Sequence, residues 1–161
     1  AFADWAAAPT TAAGWEEQVA LTAATFTEPP MTTVTGKAPA SGVVIFEADG
    51  RVWVVSPSNA FGGYINTFPK GKLDSGLTLR ANALKEGYEE CGLQVALTGF
   101  LCDSHRSTSV TRYYTAKRIG GHPARMCWET QAVHLVPRAE LAKFISHKND
   151  QVILQALQAL S

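Results

Sequence analysis

The chain is poor in cysteine, carries no net charge and has no long hydrophobic run. Its three cysteines, Cys91, Cys102 and Cys127, are an odd number without C-x-x-C spacing. That argues against a disulfide framework or a structural zinc site and for a reducing compartment. No apolar run approaches the ~20 residues that span a bilayer. The N-terminus lacks the basic start and apolar centre of a secretory signal, so the expectation is a cytoplasmic protein with no membrane partner. Fourteen basic side chains are balanced by 14 acidic ones. Proteins that grip nucleic-acid backbones usually show a basic excess, so a polyanionic ligand here must be held by local placement of charge. What remains is 161 residues, 46% hydrophobic and 17% charged, which suits one domain with a proper core.

Residues 1–38 are rich in Ala and Thr and broken by Pro9, Pro29 and Pro30, with Pro39 just beyond. Trp15–Ala23 reads as a short helix; the rest reads either as a flexible lead-in or as an added edge strand. From residue 39 to 161 the patterning is that of a folded domain. The β-branched and aromatic runs Val43–Phe46 and Val52–Val55 flank Asp49-Gly50, a strong hairpin signal because glycine accepts the turn's positive φ. Further strands are expected at Gln94–Cys102, Ser109–Ala116 and Thr130–Val136, with Gly120–Pro123 as a turn. Helices are expected at Arg138–Ile145 and Asp150–Leu160. The second has Val152, Ile153, Ala156, Leu157 and Leu160 on its apolar face. Strands, a central helix, more strands and closing helices point to an α/β class with helices covering the sheet.

The chemistry lies between Pro69 and Leu93. At about 100° per residue, a helix over Leu77–Cys91 places Leu77, Ala81, Leu84, Tyr88 and Cys91 on one stripe. Glu86, Glu89 and Glu90 fan out on the other side at i, i+3 and i+4. Asp74, Ser75 and Thr78 are candidate caps, and Gly92 is placed to end the helix. Carboxylates this close repel one another, and a divalent cation would remove that cost. Taken alone, three such glutamates are more simply a solvated helix face. The preceding loop shifts the balance. Gly71 and Gly76 bracket a tight turn, and Lys70 and Lys72 supply positive charge beside the acidic helix.

Gly71–Leu93 resembles, without a gap, the Nudix box G-x5-E-x7-R-E-U-x-E-E-x-G-U, where U is a bulky aliphatic residue. Glu86, Glu89, Glu90, Gly92 and Leu93 fit it. The resemblance implies a Nudix-like α/β/α sandwich with a mixed β-sheet over about residues 40–160. It also implies that Glu86, Glu89 and Glu90, with backbone near Gly71, bind Mg²⁺ or Mn²⁺. Three positions depart: Leu77 stands for the first glutamate, Lys85 for the arginine and Gly87 for an aliphatic residue. The first two are loop–helix braces in the family and have changed together. Gly87 should cost a helix interior about 1 kcal/mol relative to alanine. These changes bear on rate and loop rigidity more than on the metal ligands.

The implied activity is Mg²⁺-dependent hydrolysis of a phosphoanhydride in a nucleoside diphosphate joined to another moiety. The first choice of small-molecule substrate is a dinucleoside polyphosphate of the diadenosine tetraphosphate type. ADP-ribose or a nucleotide sugar is the second. Lys70 and Lys72 in Phe68-Pro69-Lys70-Gly71-Lys72 are candidate phosphate contacts, although they also read as surface lysines. Nucleic acid is not an expected partner, capped RNA excepted. Either Glu89 or Glu129 is the candidate base, since the base must sit beside the metal-activated water. Arg112 is a candidate for phosphate, and Tyr114, Tyr64 and Phe61 for a nucleobase, while one of Tyr113 and Tyr114 belongs in the core. His105 and Arg106 are candidate phosphate contacts that read more simply as exposed loop residues, and Trp53 and Trp128 read as packing. The rival from another class is a catalytically weak nucleotide-binding module, which Leu77, Lys85 and Gly87 would motivate.

Overall fold

The computed structural model describes residues 1–160. Its elements in chain order are α1 (Ala12–Thr22), β1 (Ala38–Phe46), β2 (Val52–Pro57), β3 (Lys70–Lys72), α2 (Leu79–Cys91), β4 (Leu93–His105), β5 (Ser109–Gly121), β6 (Thr130–Val136), α3 (Leu141–Phe144) and α4 (Gln151–Ala159). The sheet is mixed, with order β4-β5-β1-β2-β6. β1 runs parallel to β5, and the other pairings are antiparallel. The second edge of β1 is shared. β3 pairs with Ala40–Gly42 at its start, and β2 meets it at Phe46.

Alternation along the strands sorts the core into two layers. Val43, Ile45, Tyr114 and Ala116 pack under α2 with Leu84 and Leu97. Val44, Val54, Tyr113 and Val136 pack under α3 and α4 with Leu141, Ile153 and Leu157. Helices therefore cover both faces of the sheet, the α/β/α arrangement. Among the described residues no helix is long and apolar enough to cross a membrane.

Helix α2 begins later than its periodicity suggests. Thr78 caps it by accepting from the Ala81 N–H, which leaves Leu77 in the preceding loop, half-buried against the core. Ala81, Leu84 and Cys91 of its apolar stripe join the core against the sheet. Tyr88 instead packs against Phe2, Trp5 and Trp15, with ring centroids 4.8, 4.6 and 6.3 Å away. The first 22 residues thus lie along the outer side of α2, with α1 against α2 and β4.

The sheet-facing side of α2 carries Gly87. A Cβ there would stand 3.1 Å from Val43 Cγ2 and 3.9 Å from Ile45 Cδ1, so glycine lets the helix sit close on β1. β5 runs on through Gly121, paired with Leu93, where a turn was expected; the antiparallel ladder to β4 absorbs that segment. In α4 the buried face is Ile153, Leu154 and Leu157. Val152 and Leu160 are exposed, Leu160 because it lies beyond the last helical residue.

The tight fit at Gly87 predicts the effect of restoring an aliphatic residue there. Gly87→Ile should destabilise by about 1–3 kcal/mol through overpacking, read as a lower urea midpoint with an unchanged slope.

Candidate active site

The site forms where β3 lies across α2. Gly71 is pressed so closely on Glu86 that a Cβ at residue 71 would collide with the Glu86 carboxylate. One turn further on, Glu90 accepts a hydrogen bond from the Lys70 backbone N–H at 2.8 Å. Two carboxylates of one helix are therefore held against the backbone of one three-residue strand.

Asn82 fixes that strand to the helix. Its side-chain amide donates to Gly71 O at 3.2 Å and to Ser41 Oγ at 3.0 Å, while its oxygen accepts from the Asp74 N–H at 3.1 Å. Lys85 adds a second tie, with Nζ 2.5 Å from Asp74 and 2.9 Å from Glu89. The box departure at Lys85 thus keeps a loop–helix brace, with Asp74 as its acid. Neither Asn82 nor Asp74 was marked out as part of the site by sequence reasoning. The available signal was a buried-type position in an Ala/Leu-rich helix filled by asparagine.

Burial sets the electrostatics. Glu86 is only 8% exposed and finds no hydrogen-bond donor among the described residues. Desolvation, with repulsion from Glu90 and Glu89, pushes its pKa up to about 8. Glu90 is raised to about 7, again chiefly by desolvation; Lys70 opposes the rise, and Glu129 and Glu89 add to it. Burial also pushes the Lys70 ammonium down, against the pull of Glu90. Its Nζ rests 4.2 Å from the centre of the Tyr64 ring. Tyr64 is itself stacked on His147, with centroids 3.9 Å apart.

A buried network anchors this tyrosine. Arg106 donates to Tyr64 Oη at 2.6 Å, Tyr113 Oη at 2.8 Å and Asp150 at 2.7 Å, and Thr67 donates to Asp150 at 2.7 Å. Arg106 is thus a buried anchor rather than the exposed loop residue expected. Its charge is stabilised inside by a carboxylate and two hydroxyls.

Other expected residues are distributed unevenly. Glu129 is exposed at the start of β6, and its charge is felt at Glu90. Its loop is tied to the end of α2 by a hydrogen bond from the Cys127 N–H to Glu89 O at 2.7 Å. Lys72 is exposed at the end of β3. Arg112 and Tyr114 are not brought to the glutamates. Arg112 is buried and pairs bidentately with Asp103 at 2.8 and 2.9 Å, and it also donates to Glu28 at 2.8 Å. The Tyr114 hydroxyl donates to the same Glu28 at 2.6 Å. Trp128 is 81% exposed, so it does not pack as expected, and Phe61 is 82% exposed.

The donor set suits a hard divalent cation. Glu86 and Glu90 are desolvated, mutually repulsive oxygen ligands beside the Gly71 backbone, and such a site gains most from a cation. Among the described residues no three acidic, histidine or cysteine side chains converge on one point, and Glu89 is paired with Lys85. The pair Glu86/Glu90 is therefore the preformed part, and Glu89 would join it by turning from Lys85.

The pH dependence of stability follows. Glu86 and Glu90 titrate near 4.5 when exposed and at about 8 and about 7 in the folded protein. The unfolded chain therefore loses these protons first. The contribution of these two groups to cation-free stability is greatest below about pH 5, falls as the unfolded chain ionises, and levels off above about pH 8. The urea midpoint of chelator-treated protein should show this decline, Glu86→Gln should flatten it, and Mg²⁺ should lift the midpoint on the alkaline side.

Comparison with known proteins agrees with this arrangement. The family pattern described as NUDIX domain matches residues 36–157. No curated protein sequence matches the chain. Among solved structures, it is similar to a NUDIX hydrolase from Nitrosomonas europaea at 15% identity, covering 77% of this chain and 88% of that one with a TM-score of 0.61. It is similar to an ADP-ribose pyrophosphatase from Streptococcus suis at 18% identity, covering 75% and 92% with a TM-score of 0.58. A UDP-X diphosphatase aligns at 17% identity, covering 82% and 68% with a TM-score of 0.60. At such identities the structural likeness shows the fold, whereas the family pattern spans three-quarters of the sequence and includes the whole glutamate helix. The chain belongs to the Nudix family of pyrophosphohydrolases.

Proposed function

We propose that the protein hydrolyses a phosphoanhydride bond in a nucleoside diphosphate joined to another group, with Mg²⁺ or Mn²⁺ as its cation. The observation that carries this reading is the Glu86/Glu90 pair, buried against the backbone of Gly71 and Lys70. Glu86, Glu90 and Gly71 O are the assigned cation ligands, with Glu89 as a further one. When bound, the cation lowers the pKa of a coordinated water and neutralises charge on the bridging phosphates.

The chain's own residues divide the remaining work. Lys72, exposed beside Gly71, is placed to hold a phosphate, and Lys70 offers its ammonium from the Tyr64 face. Glu129 is assigned as the proton acceptor. It is exposed near Glu90 and makes no ion pair among the described residues, whereas Glu89 is engaged by Lys85. Water would lose its proton to Glu129 as its oxygen bonds to phosphorus, and the bridging oxygen would leave with the second phosphate-containing product.

Two features support an enzyme over a weak binding module. Lys85 finds Asp74 as a new brace, and Gly87 fits beneath Val43, so two of the three box departures are absorbed by neighbours. Dinucleoside polyphosphates are the first proposed substrate class. ADP-ribose and nucleotide sugars are the second, a reading favoured by the names of the Streptococcus suis and UDP-X enzymes.

Mass spectrometry of products formed with Mg²⁺ from a mixed panel tests the activity. Cleavage of one compound class, lost on chelation, is the expected result, and no cleavage by folded protein would overturn it. Glu90→Gln should lower turnover by about 10²-fold or more with an unchanged circular dichroism spectrum. Unchanged activity would remove Glu90 from the machinery.

A further inference from the structure

A groove of about 340 Å³ runs between the N-terminal segment and α2. Its lining includes Trp5, Pro9 and Thr11 on one wall and Asp74, Lys85 and Glu89 on the other. The size falls in the range of small-molecule sites, roughly 300–1,000 Å³. One wall comes wholly from residues before 36, outside the part that matches the family pattern. The other includes Glu89, one of the box glutamates, so the groove opens directly beside the proposed catalytic centre.

The two walls differ in chemistry. Trp5 is held rigidly: its Nε1–H donates to Arg125 O at 2.8 Å and its ring packs on Tyr88, yet it stays 44% exposed. Asp4 pins the turn that carries it, accepting from the Ala6 N–H at 2.9 Å. An indole fixed and half-open beside apolar Ala8 and Pro9 makes a flat surface suited to an aromatic ring. The opposite wall is polar. Lys85 spends two of its three N–H bonds on Asp74 and Glu89, leaving one for a phosphate oxygen.

We propose that this groove receives the aromatic end of the group linked to the nucleoside diphosphate, a nucleobase stacked on Trp5 with its phosphates leading past Lys85 to the glutamates. The proposal rests on the hydrolase reading above and narrows it. The linked group is a second nucleoside rather than a plain sugar, which would leave the indole unused.

The test compares diadenosine tetraphosphate with ADP-ribose, whose linked group is a ribose, using Trp5→Ala and Thr10→Trp. The second variant plugs the groove from exposed Thr10 and leaves the packing of Trp5 on Tyr88 in place. KM for diadenosine tetraphosphate should rise about tenfold in both variants, the size of one base–aromatic stacking contact. KM for ADP-ribose should change less than about twofold. Equal effects on both substrates, or none on either, would overturn the proposal. If the wild type cleaves nothing in the mixed panel, the hydrolase reading fails; if it spares these two compounds alone, that reading stands. In both cases calorimetry with diadenosine tetraphosphate decides the groove separately. Binding weakened about tenfold by Thr10→Trp sustains it; unchanged affinity, or no binding by the wild type, refutes it.

Discussion

The contact between Gly71 and Glu86 is the constraint on which the site depends. A strand of three residues can lie against a helix only where neither side chain obstructs it, and here the strand contributes glycine while the helix contributes a carboxylate. The consequence is electrostatic. Glu86 loses water without gaining a donor, and Glu90, one turn away, is partly compensated by the Lys70 N–H. Placing two such groups side by side is unfavourable in the bare protein, and the fold tolerates it because Asn82 and the Asp74–Lys85 pair hold the loop down. The strain is local, and the proposed cation would turn the repulsion into attraction.

The N-terminal segment solves a different problem. α2 is buried nearly all round, so it needs a partner on the side away from the sheet. Trp15, Trp5 and Phe2 supply it by surrounding Tyr88. Further along, Glu28 is shared by Arg80, Arg112 and the Tyr114 hydroxyl, which ties the segment across β5. Packing that completes the helix also shapes one wall of the groove next to Glu89, so a stabilising element and a recognition element coincide.

The fold and the glutamate cluster are legible because both have local signatures. Alternating β-branched runs marked β1, β2 and β6, and the spacing of Glu86, Glu89 and Glu90 with the Gly71 frame marked the site. What escaped depends on contacts distant in sequence. Arg112 and Tyr114 look like ligand contacts on an isolated strand, but Glu28, more than eighty residues away, takes their polar atoms. Arg106 reads as a loop residue until Asp150 and two tyrosines close around it. Gly87 reads only as a costly departure inside a helix, yet it is what lets the helix sit close on Val43. A glycine's role in close packing has no periodic signal.

The most direct measurement of the central claim is Mn²⁺ binding by calorimetry to the wild type and Gly71→Ala. The alanine methyl would displace the Glu86 carboxylate while leaving every acidic side chain in the sequence. The account predicts affinity weakened by about tenfold or more with an unchanged circular dichroism spectrum. Equal affinity in the two proteins would contradict it and place the cation away from the strand–helix contact.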